Sequence, residues 1–130
     1  MIKGTGIDII EVERVGEAIK DEHFLQRVFT QGERALLAER KGSAQTAAGI
    51  FAAKEATVKA LGRGFGMIRF TDVEVIHDEY GVPEILLCGQ AKERFLEMGG
   101  QAVHISISHI EKTAVAQCMI EGGAPTCIKL

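Results

Sequence analysis

A chain of 130 residues has room for one domain with a real core, and a composition 46% hydrophobic and 25% charged belongs to a folded globular protein, not a disordered one. No apolar run approaches the roughly 20 residues needed to cross a bilayer, and Met1-Ile2-Lys3-Gly4-Thr5 lacks a secretory apolar region, so a cytoplasmic protein away from membranes is expected. A net charge of −3 argues against holding nucleic acid by the overall field, and Cys88, Cys118 and Cys127 lack CxxC or histidine spacing; they read as small buried apolar residues.

Residues 2–10 predict a strand, in which Ile7, Ile9 and Ile10 supply β-branched bulk and Gly4 and Gly6 mark a close backbone approach. Residues 11–20 repeat apolar side chains at helical spacing, and Phe24, Leu25, Val28 and Phe29 suggest a short further helical turn. Thr30-Gln31-Gly32-Glu33 matches a capping box opening the next helix. The alanine-rich stretch 44–61 predicts a long helix closed by Gly62, with Gly64 and Gly66 beyond. Residues 68–76 and 82–88 read as a hairpin, 90–98 as a helix, and 102–108 with 113–120 as a last hairpin. Residues 1–121 form the domain, and 122–130 a frayed tail. Strands at both ends with helices between them predict an α+β fold, an antiparallel sheet packed against helices.

Four stretches carry candidate chemistry. Asp8, a carboxylate inside a run of isoleucines, either caps the helix beginning near Glu11 or is paired or bound to a cation. Glu55 and Lys59 share a helix face behind Ala48 and Ala52, which is either a surface ion pair or a face against which a ligand packs closely. Gly62-Arg63-Gly64-Phe65-Gly66 follows a helix C-terminus, so it is neither a phosphate-cradling Walker loop nor a dinucleotide fingerprint, and by itself it is a cap and turn. His104, Ser106 and Ser108 alternate with Ile105 and Ile107, giving one polar strand face that ends at His109. Two carboxylates, a lysine, a glycine turn and a polar strand together suit a hard-cation site that handles phosphates.

The combination of Gly4-Thr5-Gly6-Ile7-Asp8-Ile9, Phe51-Ala52-Ala53-Lys54-Glu55-Ala56 with Lys59-Ala60-Leu61-Gly62, and Ser106-Ile107-Ser108-His109 resembles the bacterial holo-acyl-carrier-protein synthases of the phosphopantetheinyl transferase superfamily, over nearly the whole chain. The resemblance implies transfer of the 4'-phosphopantetheine arm of coenzyme A to a serine of apo-acyl carrier protein in fatty acid biosynthesis, releasing adenosine 3',5'-bisphosphate. It implies Mg²⁺ held by Asp8 and Glu55, and Lys59 meeting phosphate charge; the serine proton goes to Asp8 or a metal-bound water. Gly62, Arg63, Gly64 and His109 join Lys59 as candidate coenzyme A contacts. The resemblance further implies a homotrimer with sites at subunit boundaries, and an acidic carrier protein docking on Arg14 and Arg27, with Lys20 nearby and Phe24 as apolar anchor. Many relatives have arginine where this chain has Ile50, so the 3'-phosphate is expected either to be held by Arg40, Lys41 or Arg63 or to be held less tightly. A metal-dependent phosphoester hydrolase acting without a protein acceptor, and a non-catalytic binding module that tolerates loss of Asp8 and Lys59, are the competing readings.

Overall fold

In a computed structural model that describes residues 1–63 and 66–123, the chain runs β1 (Ile2–Glu11), α1 (Val12–Ala18), α2 (Glu22–Val28), α3 (Gln31–Glu39), α4 (Ala44–Leu61), a 3-10 turn (Phe70–Asp72), β2 (Val73–His77), β3 (Pro83–Leu87), α5 (Gly89–Glu97), β4 (Gly100–His109) and β5 (Thr113–Gly122). The two chain-terminal strands meet: β5 pairs antiparallel with β1 on one side and β4 on the other, and β2 and β3 form a separate hairpin. The α+β expectation therefore holds.

The sheet rests on α4 because β1 brings no side chains to part of the contact. A Cβ on Gly4 would stand 2.1 Å from the Ala60 carbonyl oxygen, and one on Gly6 2.0 Å from that of Ala56, so strand and helix backbones touch as only glycine permits. The helix answers with Ala52, Ala53, Ala56 and Ala60, all buried. Phe29, Leu61, Ile68, Val73 and Ile120 complete a core between the sheet's inner face, α4 and the hairpin. Strand alternation sends the other set of side chains outward, where Ile7 and Ile9 remain 64% and 70% exposed. Cross-strand register aligns them with Gln117 and Val115 of β5, and these in turn with Ser106 and Ser108 of β4.

The capping box at Thr30 and Glu33 forms as expected, and Glu33 does more than cap. Its carboxylate is fully buried and accepts from Lys54 Nζ at 2.6 Å, Thr30 N at 2.9 Å and Val75 N at 2.7 Å. The lysine of the Phe-Ala-Ala-Lys-Glu block thus ties α4 to α3 and β2, with the Phe29 ring 5.9 Å from its ammonium.

Three local expectations change. The strand expected from residue 68 begins at Val73, because Asp72 Oδ2 accepts from Arg69 N at 3.1 Å and closes a 3-10 turn ahead of it. Gly122 belongs to β5, since its amide donates to Met1 O at 2.8 Å and its carbonyl accepts from the N-terminal ammonium at 2.9 Å; residues 124–130 of the expected tail, including Cys127, lie outside the described residues. Cys118 is buried, its thiol pushed up to about 11 by burial, whereas Cys88 is exposed as the N-cap of α5.

Candidate active site

Alternation along β1 turns Asp8 inward between the outward Ile7 and Ile9, against α4. Only 9% exposed, its carboxylate needs a partner, and Lys59 Nζ lies 3.0 Å from Asp8 Oδ1. The same ammonium donates to the Ile7 carbonyl oxygen at 3.0 Å. Both alternative readings from sequence fall here: the N-cap of α1 is Glu11, without a side-chain cap bond, and Lys59 pairs across the fold with Asp8 instead of along the helix with Glu55.

The second oxygen of Asp8, Oδ2, is buried without a hydrogen-bond partner. Beside it, Glu55 is pushed up to about 7, by burial first and then by the closeness and charge of the Asp8 carboxylate, with Lys59 and Arg14 opposing. Two carboxylates in this relation are stable with one proton between them or with a cation. A cation would satisfy the orphaned Oδ2 and remove the repulsion together, so the donor set fits a hard divalent ion. Among the described residues there is no cluster of three or more metal-ligating side chains, so such an ion would keep sites for water or a ligand's oxygens, as Mg²⁺ commonly does.

A cavity of about 400 Å³ opens onto this pair, and Arg14 of α1 and Phe24 of α2 stand on its wall with Phe51 of α4. Phe24 packs on Phe51 with ring centroids 6.2 Å apart. In the sequence Phe51 stands out only by its position in the helix block, one turn before Glu55 on the same face.

The other candidates lie apart from this cavity. Arg27 faces a second one beside Arg69 and Phe70. His109 ends β4 in a third, of about 190 Å³, together with Arg40, Ile50 and His77. Gly62 closes α4 in the left-handed region at φ 71°, and Arg63 approaches Glu97 at 3.8 Å. Lys20 is paired with Glu17 at 2.9 Å. Gly64 falls outside the described residues.

Residues 4–118 match the family described as the 4'-phosphopantetheinyl transferase superfamily. The holo-[acyl-carrier-protein] synthase of Alkaliphilus oremlandii is 46% identical over 120 residues, which cover 92% of this chain and 98% of that protein. Among solved structures, a holo-(acyl-carrier-protein) synthase from Bacillus anthracis in complex with CoA (3',5'-ADP) superposes with a TM-score of 0.79 at 38% identity, covering 95% of this chain and 99% of that one. The Helicobacter pylori holo-[acyl-carrier-protein] synthase in complex with coenzyme A superposes equally well, with a TM-score of 0.79 at 31% identity, over 90% of this chain and 99% of that one.

Proposed function

This chain belongs to the 4'-phosphopantetheinyl transferase superfamily, and we propose that it transfers the phosphopantetheine arm of coenzyme A to a serine of an apo-acyl carrier protein. The observation that carries this reading is the buried Asp8 with its unpartnered Oδ2, beside Glu55, at the base of a cavity that also presents Arg14 and Phe24. A cation-binding carboxylate pair is thereby contiguous with a surface suited to an acidic protein.

In this reading the serine oxygen bonds to the β-phosphorus of coenzyme A and the bond from that phosphorus to the oxygen of adenosine 3',5'-bisphosphate breaks. Asp8 and Glu55 would hold Mg²⁺, which when bound supplies Lewis-acid stabilisation of phosphate oxygens. The serine proton passes to the Asp8 carboxylate or to water at the site, while Lys59, one helical turn from Glu55, meets the charge that develops on the departing phosphate. Arg14 and Phe24 receive the carrier. Of the candidates for the 3'-phosphate, Arg40 is favoured, because it shares a cavity with Ile50 and His109, whereas Arg63 has Glu97 as its neighbour.

The outward face of β1, with Ile7 and Ile9 exposed beside Val115 and Met119 of β5, favours the homotrimer that the resemblance implies. No helix among the described residues is long and apolar enough to cross a membrane; the cytoplasm remains the location this reading proposes, on the strength of the acyl-carrier-protein synthases the chain is similar to.

Mass spectrometry of an apo-carrier protein, incubated with coenzyme A and this chain with and without EDTA, tests the whole reading. The expected result is a gain of the phosphopantetheine mass that EDTA abolishes. Release of adenosine 3',5'-bisphosphate without modification of the carrier would make the protein a hydrolase instead.

A further inference from the structure

The last turn of α4 carries Lys59, and its open end is closed by a side chain from a distant helix. The final carbonyls of a helix have no partner within it. Here the Lys59 carbonyl oxygen accepts from Gly62 N at 3.0 Å, where the chain turns through the left-handed region. The Leu61 carbonyl oxygen accepts from Arg94 Nε of α5 at 2.7 Å, across 33 residues of sequence. Leu61 is fully buried, so without that guanidinium its carbonyl gains a donor only if the turn opens to water.

The rest of the Arg94 side chain is confined as well. It is 23% exposed, its Nη1 lies 3.6 Å from Glu97 Oε1, and a Cβ on Gly62 would stand 3.7 Å from its Nη2. Glu97 in turn approaches Arg63 Nη2 at 3.8 Å, so α5 holds both the last residue of α4 and the turn that leaves it. A guanidinium at this end of a helix also offsets the negative pole of the helix dipole, which opposes phosphate.

Lys59 is thereby held at both of its ends. Its ammonium is fixed on β1 by Asp8 and the Ile7 carbonyl, and its backbone belongs to a turn whose last carbonyl is tied to Arg94. Among the described residues none from α5 lines the catalytic cavity, so what Arg94 contributes there passes through α4.

We propose that Arg94 is a positioning residue for the transfer: by capping α4 at Leu61 it sets the place and the electrostatic surroundings of Lys59, and so the stabilisation of charge on the departing phosphate. The inference rests on the transferase reading and gives Arg94 no contact with coenzyme A or the carrier. Its effect belongs to the chemical step, because Lys59 meets a charge that grows as the bond to the leaving group breaks.

The test is Arg94→Ala, with Arg94→Lys as the conservative variant, each alone and combined with Lys59→Ala, assayed with coenzyme A, Mg²⁺ and apo-carrier protein. Arg94→Ala is expected to lower kcat about tenfold, with KM for the carrier held within about twofold. Arg94→Lys keeps the charge and should recover most of the loss. In the Lys59→Ala background, Arg94→Ala should change kcat by less than about twofold, since the group through which it acts is gone. A merely structural role gives the opposite pattern, a lower melting temperature with the same fold-loss in both backgrounds. That pattern overturns the proposal, as does an unchanged kcat in Arg94→Ala. If Arg94→Ala does not fold, Arg94→Gln, which keeps a donor without the charge, takes its place in the cycle.

Hydrogen exchange at the Gly62 amide, followed by NMR, separates the two levels of inference. It should quicken in Arg94→Ala and stay near the parent rate in Arg94→Lys. Absence of transfer by the parent protein sinks the transferase reading and this role with it. Normal transfer by the parent, with the Gly62 amide and kcat both unmoved in Arg94→Ala, sinks the role of Arg94 alone.

Discussion

The ammonium of Lys59 is 3.0 Å from Asp8 Oδ1 and 3.0 Å from the carbonyl oxygen of Ile7, so one side chain from α4 grips both the backbone and the carboxylate of β1. That bridge occupies one oxygen of Asp8 and leaves Oδ2 buried without a partner beside Glu55. The arrangement holds a place for one positive charge between two carboxylates, kept by the packing of β1 on α4.

Asp8→Asn and Glu55→Gln each remove a negative charge from the pair while keeping its shape. Each is expected to lower kcat/KM for transfer by about 10²-fold or more, the order found when one preorganised electrostatic contact is lost at an active site. Far-UV circular dichroism should remain that of the parent protein. Activity equal to the parent in either variant would refute the carboxylate pair as the ion's holder.

Glu55 titrates at about 7 instead of near 4.5, so protons compete with Mg²⁺ for it below neutrality. Without the ion, the stability gained by keeping Glu55 protonated is complete below its unfolded value of 4.5 and is lost as pH rises through about 7. Bound Mg²⁺ replaces that proton. Added Mg²⁺ should therefore raise the melting temperature more at about pH 8 than at about pH 6. A larger rise at the lower pH would contradict the assignment.

Arg14→Glu reverses a charge on the wall of the catalytic cavity. The expected effect in steady-state kinetics is a rise of about tenfold in KM for the carrier protein, exceeding any change in KM for coenzyme A. Equal shifts in both would mean that the carrier docks elsewhere.

Lys54→Met leaves the Glu33 carboxylate buried and without its cation, a loss of roughly 3–5 kcal/mol by the usual cost of breaking a buried pair. Glu33→Ala should cost more, because it also strips the acceptor from Thr30 N and Val75 N. Urea unfolding of the two variants gives the order directly, and the reverse order would show that the ion pair, not the amide bonds, dominates.

Gly6→Ala puts a Cβ where the Ala56 carbonyl oxygen already stands, 2.0 Å away, and must push β1 off α4. A loss of about 1–3 kcal/mol is expected from overpacking. Transfer should weaken as well, since the same displacement stretches the Lys59 bridge; full activity with reduced stability would show that the site adjusts independently of the strand.

Most of the scaffold was legible along the chain. The capping box at Thr30, the alanine-rich α4 ending at Gly62, and the alternation of His104 to Ser108 depend on neighbours within a few residues, and local rules describe such neighbours well. Asp8, Glu55 and Lys59 were singled out because a carboxylate among isoleucines and a charged pair on an alanine face are unusual locally, and the structure joins them. Arg27 and His109 were grouped with them by resemblance, but face other cavities in the single chain. Lys54 was not recognised as the buried partner of Glu33, because that pair spans 21 residues of sequence and depends on how α3 lies against α4.

Residue order alone determined where the helices and strands form, which strand face is polar, and which side chains were chemically out of place. Tertiary packing decided their partners. Whether Lys59 meets Glu55 four residues away or Asp8 across 51 residues is settled by Gly4 and Gly6, whose missing side chains let two backbones touch. Contact between distant segments costs chain entropy that only the assembled core offsets, so no local pattern could have announced it.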